Sequence, residues 1–306
     1  MPLFLGIDGG GTKTRCILGD EKSVLGTGSG SGCNVLRVGE AYAQDSLTGA
    51  IHEACLNADV SPRQITRTCA GISGAADDGI ASIVQRFLIE ILGGAIEVIG
   101  DMEVALEGAF GGDPGVIVIA GTGSIAYGRN ARGENARAGG WGRVASDEGS
   151  GHWIALRALS AGLRARDRGQ NFDLLNSLMT ALGIGTAEDL VIRLNEDPVR
   201  DYASLFPVVL ASAEAGDPVA VRVLQSAGRK LANLAEILIE RLFGENEEVS
   251  VATHGGVFAS SRKVMSSFQQ ELRALCPQAN CVNREIDPAM GALERARRDF
   301  GTWHRS

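Results

Sequence analysis

The stretch Leu3-Phe4-Leu5-Gly6-Ile7-Asp8-Gly9-Gly10-Gly11-Thr12-Lys13-Thr14-Arg15-Cys16-Ile17-Leu18-Gly19-Asp20 decides the fold. Leu3 to Ile7 is a short apolar run of the kind that forms a buried strand. Three glycines interrupt it, Cys16-Ile17-Leu18 is a second apolar run, and Gly19-Asp20 marks a turn. Val24-Leu25 resumes the strand pattern ahead of the tract Gly26 to Gly32, so the reading is a meander of three strands. Gly6 and Gly11 stand at the separation of a Walker A loop, but Thr12 occupies the place of its lysine, and such a loop leads from strand to helix. Here it leads from strand to strand. The stretch is a tight hairpin whose amides and hydroxyls can face phosphates. An ordinary hairpin with glycines for positive φ is the simpler reading, yet three glycines between an Asp and Thr-Lys-Thr exceed what a turn requires.

Further along, the spacing of Leu47, Ile51 and Cys55 predicts a helix, Ile65 to Ile72 reads as a strand, and Ile80, Ile83, Val84, Phe87, Leu88 and Ile91 make a helical stripe. Ile96 to Ile99 is a strand that ends at Gly100-Asp101, with a short helix after it to Phe110. The pattern then starts again. Val116-Ile117-Val118-Ile119 is followed by Gly121-Thr122-Gly123-Ser124, a second short strand from Ile125 to Arg129, a polar turn and Gly139-Gly140-Trp141-Gly142. Gly9 answers to Gly121 and Gly11 to Gly123, an offset of 112 residues, which points to duplication of one domain. The remainder is mostly helical. Ser150 to Asp167 and Pro218 to Phe243 read as long helices, the latter with Asp217 at its cap and Pro218 in its first turn. Val249 to Ala252 is a strand running into His254-Gly255-Gly256, and Asp287-Pro288 opens a last helix to about Asp299.

A chain of 306 residues suggests two domains of roughly 100–200 residues. With 44% hydrophobic and 22% charged residues it has a globular composition, and its 41 glycines cluster in runs that read as backbone-lined loops. The net charge of −8 and the lack of a Lys/Arg block argue against nucleic acid as the main partner. The six cysteines form no C-x-x-C, and the four histidines show no metal spacing and read as structural or surface residues. Met1 to Asp8 lacks a basic region and is too short for a signal core, and no apolar stretch approaches the 18 or so residues of a membrane span. The expectation is a cytoplasmic protein with reduced thiols and no membrane partner.

The candidate chemistry follows from position. Asp8 ends a buried strand and is placed to hold Mg²⁺ through water. Asp101 sits at a strand end, where a carboxylate can take the proton of an attacking hydroxyl, although a helix-capping Asp looks the same. Asn34, Asp147 and Glu148 are ambiguous alone, since residues 146–150 also suit a helix cap. Trp141, between glycines, can line a sugar pocket, and Gly255-Gly256 lets a flat ring approach the backbone.

The order Asp8-Gly-Gly-Gly-Thr, Gly100-Asp101, Gly121-Thr-Gly-Ser and His254-Gly-Gly resembles the actin/hexokinase/Hsp70 ATPase signature. Gly139-Gly140-Trp141-Gly, then Asp147-Glu148-Gly149-Ser150 with Trp153-Ile154-Ala155, is similar to N-acetylglucosamine kinases of the BadF/BadG/BcrA/BcrD ATPase family. The resemblance implies an α/β fold of two ribonuclease-H-like lobes with a cleft between them. Residues 1–113 would form one lobe, with 288–306 packing on it, and 114–287 the other, with a helical insertion. It implies ATP and Mg²⁺ as cofactors and a homodimer acting on an amino sugar at its 6-hydroxyl: N-acetylglucosamine or, sharing every residue named, glucosamine. By position it gives Asp8 to the metal; Gly11, Thr12, Lys13, Thr122, Gly123, Ser124, Gly216, Gly255 and Gly256 to the nucleotide; Asp101 to catalysis; and Asn34, Asp101, Gly140, Trp141 and Asp147 to the sugar. The zinc motif of ROK sugar kinases is absent. So is the Cys-Gly-Gly-type segment that holds an iron–sulfur cluster in the family's activators of 2-hydroxyacyl-CoA dehydratases, which argues against a cluster; an ATPase that activates a partner enzyme, without those cluster cysteines, is the rival class.

Overall fold

The fold is described from a computed structural model for residues 1–171, 173–197 and 200–298. Among these residues the chain divides into two compact units, one of residues 1–113 with 284–298 and one of 114–283. The first contains β1 (Phe4–Gly9), β2 (Lys13–Gly19), β3 (Val24–Ser31), α1 (Val35–Val38), α2 (Glu40–Asn57), β4 (Arg67–Ile72), α3 (Asp78–Ile91), β5 (Ala95–Gly100) and α4 (Asp101–Phe110). Its sheet has the order β3-β2-β1-β4-β5, with β1 antiparallel to β2 and parallel to β4. The second contains β6 (Gly115–Ala120), β7 (Ser124–Arg129), β8 (Asn135–Gly139), α5 (Gly151–Asp167), α6 (Asp173–Leu182), α7 (Ala187–Glu196), α8 (Phe206–Glu214), α9 (Pro218–Leu242), β9 (Val249–His254), α10 (Gly256–Ser260), α11 (Arg262–Leu275) and β10 (Ala279–Val282). Its order, β10-β9-β6-β7-β8, is the first sheet read from the other end. An antiparallel meander and two parallel strands recur in the same sense. The echo in the sequence is thus an echo of topology, and the doubled sheet is the mixed α/β fold of actin-like ATPases.

The tract from Gly26 to Gly32 does not end the third strand. β3 runs through it to Ser31, and the glycines alternate along the strand because α2 lies against that face. A Cβ on Gly28 would strike the backbone at Ala50 and Ala54, one on Gly26 the backbone at Ala54 and Ala58, and one on Gly30 the carbonyl of Ser46 at 2.8 Å. A step of two along the strand thus matches a step of four along the helix. Beside this contact, α2 buries Leu47, Ile51 and Cys55, as their spacing predicts.

The last helix, α12 (Pro288–Arg298), packs on the first unit, on β1 and α4. Residues 299–306 of the expected segment, His304 included, lie outside the described residues. Gly6 admits the α12 backbone at Ala289 and Leu293, and Gly291 admits α4 at Val104 and Gly108. The carboxylate of Glu107, 3% exposed within α4, is held there by Arg298 and Arg295 of α12, and Arg295 also grips Glu97 with two hydrogen bonds of 2.7 and 3.1 Å. A buried carboxylate is tolerable only with such partners. In the second unit the helices α5 to α9 bury Leu159, Leu175, Phe206 and Leu231 in one apolar core. Among the described residues no single helix is long and apolar enough to cross a membrane.

Two alanine substitutions separate space from propensity. Gly28→Ala forces apart β3 and α2, and we expect it to destabilise the first unit by about 2–4 kcal/mol. Gly49→Ala lies on the exposed face of α2 with nothing within 4 Å of its new methyl, and should stabilise by about 1 kcal/mol. Urea unfolding followed by circular dichroism checks both signs.

Candidate active site

β1 delivers Asp8 to the end of the first sheet, and the parallel strand β5 ends beside it at Gly100, where α4 begins with Asp101. Gly100 is the helix cap and Asp101 the first helical residue, its Oδ1 accepting from the N–H of Met102 at 3.0 Å. Between them, Ser73 follows β4 and donates its own N–H to the carbonyl of Gly9 at 2.8 Å. The hydroxyl of Ser73 hydrogen-bonds to the Asp101 carboxylate, and it accepts from Asn34 Nδ2 at 3.2 Å. Asn34 is fixed in turn as the cap of α1, where its Oδ1 accepts from the N–H of Arg37 at 3.2 Å. Three residues far apart in sequence thus form one line, Asn34–Ser73–Asp101.

Burial is the main reason the Asp8 carboxyl is pushed up to about 7, with the neighbouring Asp101 carboxylate next and Asp287 adding to it, while Lys13 and Arg15 pull the other way. Burial also raises Asp101, and the bonds from Ser73 and Met102 partly offset that. Two half-buried carboxylates, one near enough to raise the other, are a natural setting for a cation. Among the described residues no group of three or more His, Cys, Asp or Glu could hold a metal by itself. Mg²⁺ takes one or two carboxylates and completes its shell with water and substrate phosphates.

The first loop closes as a hairpin, Gly10 N–H donating to the Lys13 carbonyl at 2.9 Å, with Cys33 N–H donating to Gly10 at 3.1 Å. Thr12 and Lys13 are exposed on it, and Gly11 lies against the guanidinium of Arg37. Sequence reasoning missed both Arg37 and Ser73. Arg37 could have been sought three residues beyond Asn34, but Ser73 carries no local signal, because only the parallel pairing of β1 and β4 brings it to Gly9.

In the second unit the loop at residues 121–124 repeats the hairpin, Gly121 N–H donating to the Gly123 carbonyl at 2.9 Å. It is fastened to the turn before α5. Gly151 N–H donates to the Gly121 carbonyl at 2.8 Å and the Ser124 hydroxyl to the Glu148 carbonyl at 2.8 Å. Asp147 is 8% exposed and holds a positive φ of 61°, with its carboxylate against Gly123. Burial pushes that carboxyl up, and the backbone N–H groups of Ser124 and Gly142 pull it partly back. Asp147 is therefore a brace of the loop. Gly140, with φ 70°, packs its α-carbon against the Ile125 side chain. Trp141 is 69% exposed, and the Arg137 guanidinium stacks 3.9 Å from its ring centroid. Gly255, with φ 100°, touches the backbone of Ala120 directly before the loop, whereas Gly256 faces open space. Gly216 has φ 90° and nothing near its α-carbon; it makes the turn from α8 to α9. The structure brings Asn34, Asp8 and Asp101 together in one unit, and Asp147, Gly123 and Ser124 together in the other. His152, read as structural or surface, is structural: 2% exposed, its Nδ1 accepting from the N–H of Tyr202 at 3.1 Å.

A carboxyl raised to about 7 stays protonated in the native protein at pH values where the unfolded chain has already lost the proton. Native stability therefore falls as pH rises from about 4 through 7. In protein freed of metal and nucleotide, Asp8→Asn should remove this penalty. Its melting temperature is expected to match the parent's near pH 4.5 and to exceed it at pH 8. A variant equally destabilised at both values would contradict the assignment.

The chain is 34% identical over 304 residues to an N-acetylmuramic acid/N-acetylglucosamine kinase from Clostridium acetobutylicum, covering 97% of this chain and 99% of the relative. It is 30% identical over 306 residues to an N-acetyl-D-glucosamine kinase from Dictyostelium discoideum, covering 95% and 96% of the two chains. The fold matches a candidate N-acetylglucosamine kinase from Chromobacterium violaceum with a TM-score of 0.72, at 25% identity and covering 96% and 98% of the two chains. Residues 5–296 match the BadF/BadG/BcrA/BcrD ATPase family, and the chain belongs to that family.

Proposed function

We propose that this protein is an ATP-dependent amino-sugar kinase that phosphorylates the 6-hydroxyl of N-acetylglucosamine. The observation that carries the reading is the line Asn34–Ser73–Asp101. It sets a carboxylate at a helix start, beside a second carboxylate suited to Mg²⁺ and an asparagine able to orient a sugar hydroxyl. Phosphoryl transfer asks little covalent chemistry of a protein. It asks for positioning and for electrostatic stabilisation of the γ-phosphoryl group.

In this reading Asp101 accepts the proton of the attacking hydroxyl, and its raised carboxyl is a better base for the work than an ordinary aspartate. Asp8 holds Mg²⁺, which when bound neutralises charge on the phosphates. Gly11, Thr12, Lys13, Thr122, Gly123 and Ser124 offer N–H groups, hydroxyls and an ammonium to the phosphates. Gly255 and Gly256 leave the backbone bare for the adenine ring, with Gly216 at the nucleoside's edge. Asn34, Gly140 and Trp141 contact the sugar. Asp147 supports them by holding the second loop in shape, and its spare carboxylate lone pairs can accept from a sugar hydroxyl. The relatives' activities favour an N-acetylated hexosamine over other acceptors.

ADP release with Mg·ATP should be measured against N-acetylglucosamine, glucosamine, N-acetylmuramic acid, N-acetylmannosamine and glucose. We expect the highest kcat/KM on N-acetylglucosamine, and phosphate on its 6-oxygen by NMR. Slow ATP hydrolysis indifferent to every sugar would instead favour an ATPase that acts on a partner. Asp101→Asn should lower kcat by about 10²–10⁴-fold with Mg·ATP affinity nearly unchanged. Ser73→Ala removes a donor to Asp101, so the acidic limb of kcat/KM should move to higher pH; a fall in rate at every pH with no such move would assign Ser73 a packing role only.

A further inference from the structure

The second unit carries a groove that none of the functions above uses. It runs between α5 and α9 and has a volume of about 420 Å³. Arg157 and Arg164 line it from α5, Arg168 from just past the end of that helix, and Arg222 and Lys230 from α9. Its floor is apolar, with Ala161, Val219 and Val223, and Trp153 stands at one end with the Arg157 guanidinium 5.3 Å from its ring centroid. Among the described residues, none of the two glycine hairpins or of Gly255-Gly256 contributes to it, and no carboxylate lines it.

The charge pattern is what calls for a ligand. The chain as a whole carries −8, yet five cations border this one groove. Lys230 is paired, 3.6 Å from Glu148. Among the described residues the side chains of Arg157, Arg164, Arg168 and Arg222 make no ion pair or hydrogen bond. The end of a helix favours cations, which accounts in part for Arg164 in the last turn of α5 and Arg168 at its cap. It does not account for Arg222, which lies near the start of α9, where the helix dipole disfavours a positive charge. Like charges held around one concavity repel one another, and an anion relieves the repulsion while gaining charge-assisted hydrogen bonds from guanidinium forks. The volume is that of a site for a small organic molecule and far exceeds a bare phosphate. The apolar floor and Trp153 provide for a carbon skeleton, with the charged groups held by the rim.

We propose that the α5–α9 groove binds a small organic anion of the phosphate-ester class, at a site separate from the glycine hairpins. A sugar phosphate fits this chemistry, with phosphate on the arginines and ring over the apolar floor. The proposal does not depend on turnover and stands apart from the kinase reading.

Isothermal titration calorimetry on the full chain tests it, with glucose 6-phosphate, inorganic phosphate and pyrophosphate as probes, at 50 and 300 mM NaCl. Saturable binding of glucose 6-phosphate is expected, tighter than that of inorganic phosphate and weakened by salt. Arg164→Glu and Arg222→Glu should each weaken it by at least about tenfold. Both side chains are exposed and unpaired, and unchanged circular dichroism and melting temperature confirm that the variants fold. Lys13→Ala, in the first hairpin, should leave this binding as it is. The proposal is overturned if no probe binds, if Lys13→Ala abolishes binding while the arginine variants keep it, or if the arginine variants alter only the sedimentation coefficient. The last result would make the groove a contact between copies of the chain.

Discussion

The first unit depends on how closely α12 can approach β1. The strand is covered on both faces, so its alternation separates two environments. Leu5 and Ile7 join the core beneath α2, whereas Phe4, Gly6 and Asp8 share the face that receives α12. A side chain at Gly6 would push the helix out. With glycine there, Ala289 and Leu293 rest on the strand itself, and Asp287, just ahead of the helix, comes close enough to raise Asp8. The packing that closes this unit is also what crowds its carboxylates. Free energy gained along the strand in apolar contact is partly offset at its end as electrostatic strain, and a bound cation would relieve that strain.

The two candidate loops are held by different means. The first is positioned by sheet pairing: β1 and β4 set Ser73 against Gly9, and Ser73 links Asn34 to Asp101. The second is positioned by a turn. Asp147 accepts a positive φ to place its carboxylate under Gly123 and Ser124, and α5 starts on the carbonyl of Gly121. In both cases the loop's N–H groups and hydroxyls are held in place by bonds made before any ligand arrives, and such preorganisation is where electrostatic catalysis gains most.

Much of this was legible in the sequence because it rests on local signals. Apolar runs of strand length, glycine hairpins and the Asp217-Pro218 helix start all survive in the structure within a few residues. The repeat offset carried the topology, since Gly9 and Gly121 mark the same corner of two equivalent sheets. What stayed hidden depends on pairing between distant segments. Ser73 is one serine among many until β4 lies beside β1. The tract Gly26 to Gly32 looked like a loop because its alternation has meaning only once α2 covers it. Asp147 was legible as important, but its inward orientation was not, since a buried brace and a sugar contact use the same residue type. The basic groove drew no notice because Arg157 and Arg222 lie 65 positions apart on different helices.

The first unit is assembled from two stretches of chain, and this bears on the order of events at the ribosome. Residues 114–283 form a continuous segment and can close on themselves as soon as they emerge. The first unit cannot. After residue 113 has been made, the face of β1 that carries Phe4 and Gly6, together with one flank of α4, waits uncovered until α12 is synthesised. The segment that comes first is completed last, and the nascent chain carries an open apolar seam through the making of some 170 further residues. Until α12 arrives, that apolar face, with Phe4 on it, is the part of the nascent chain most open to unwanted association.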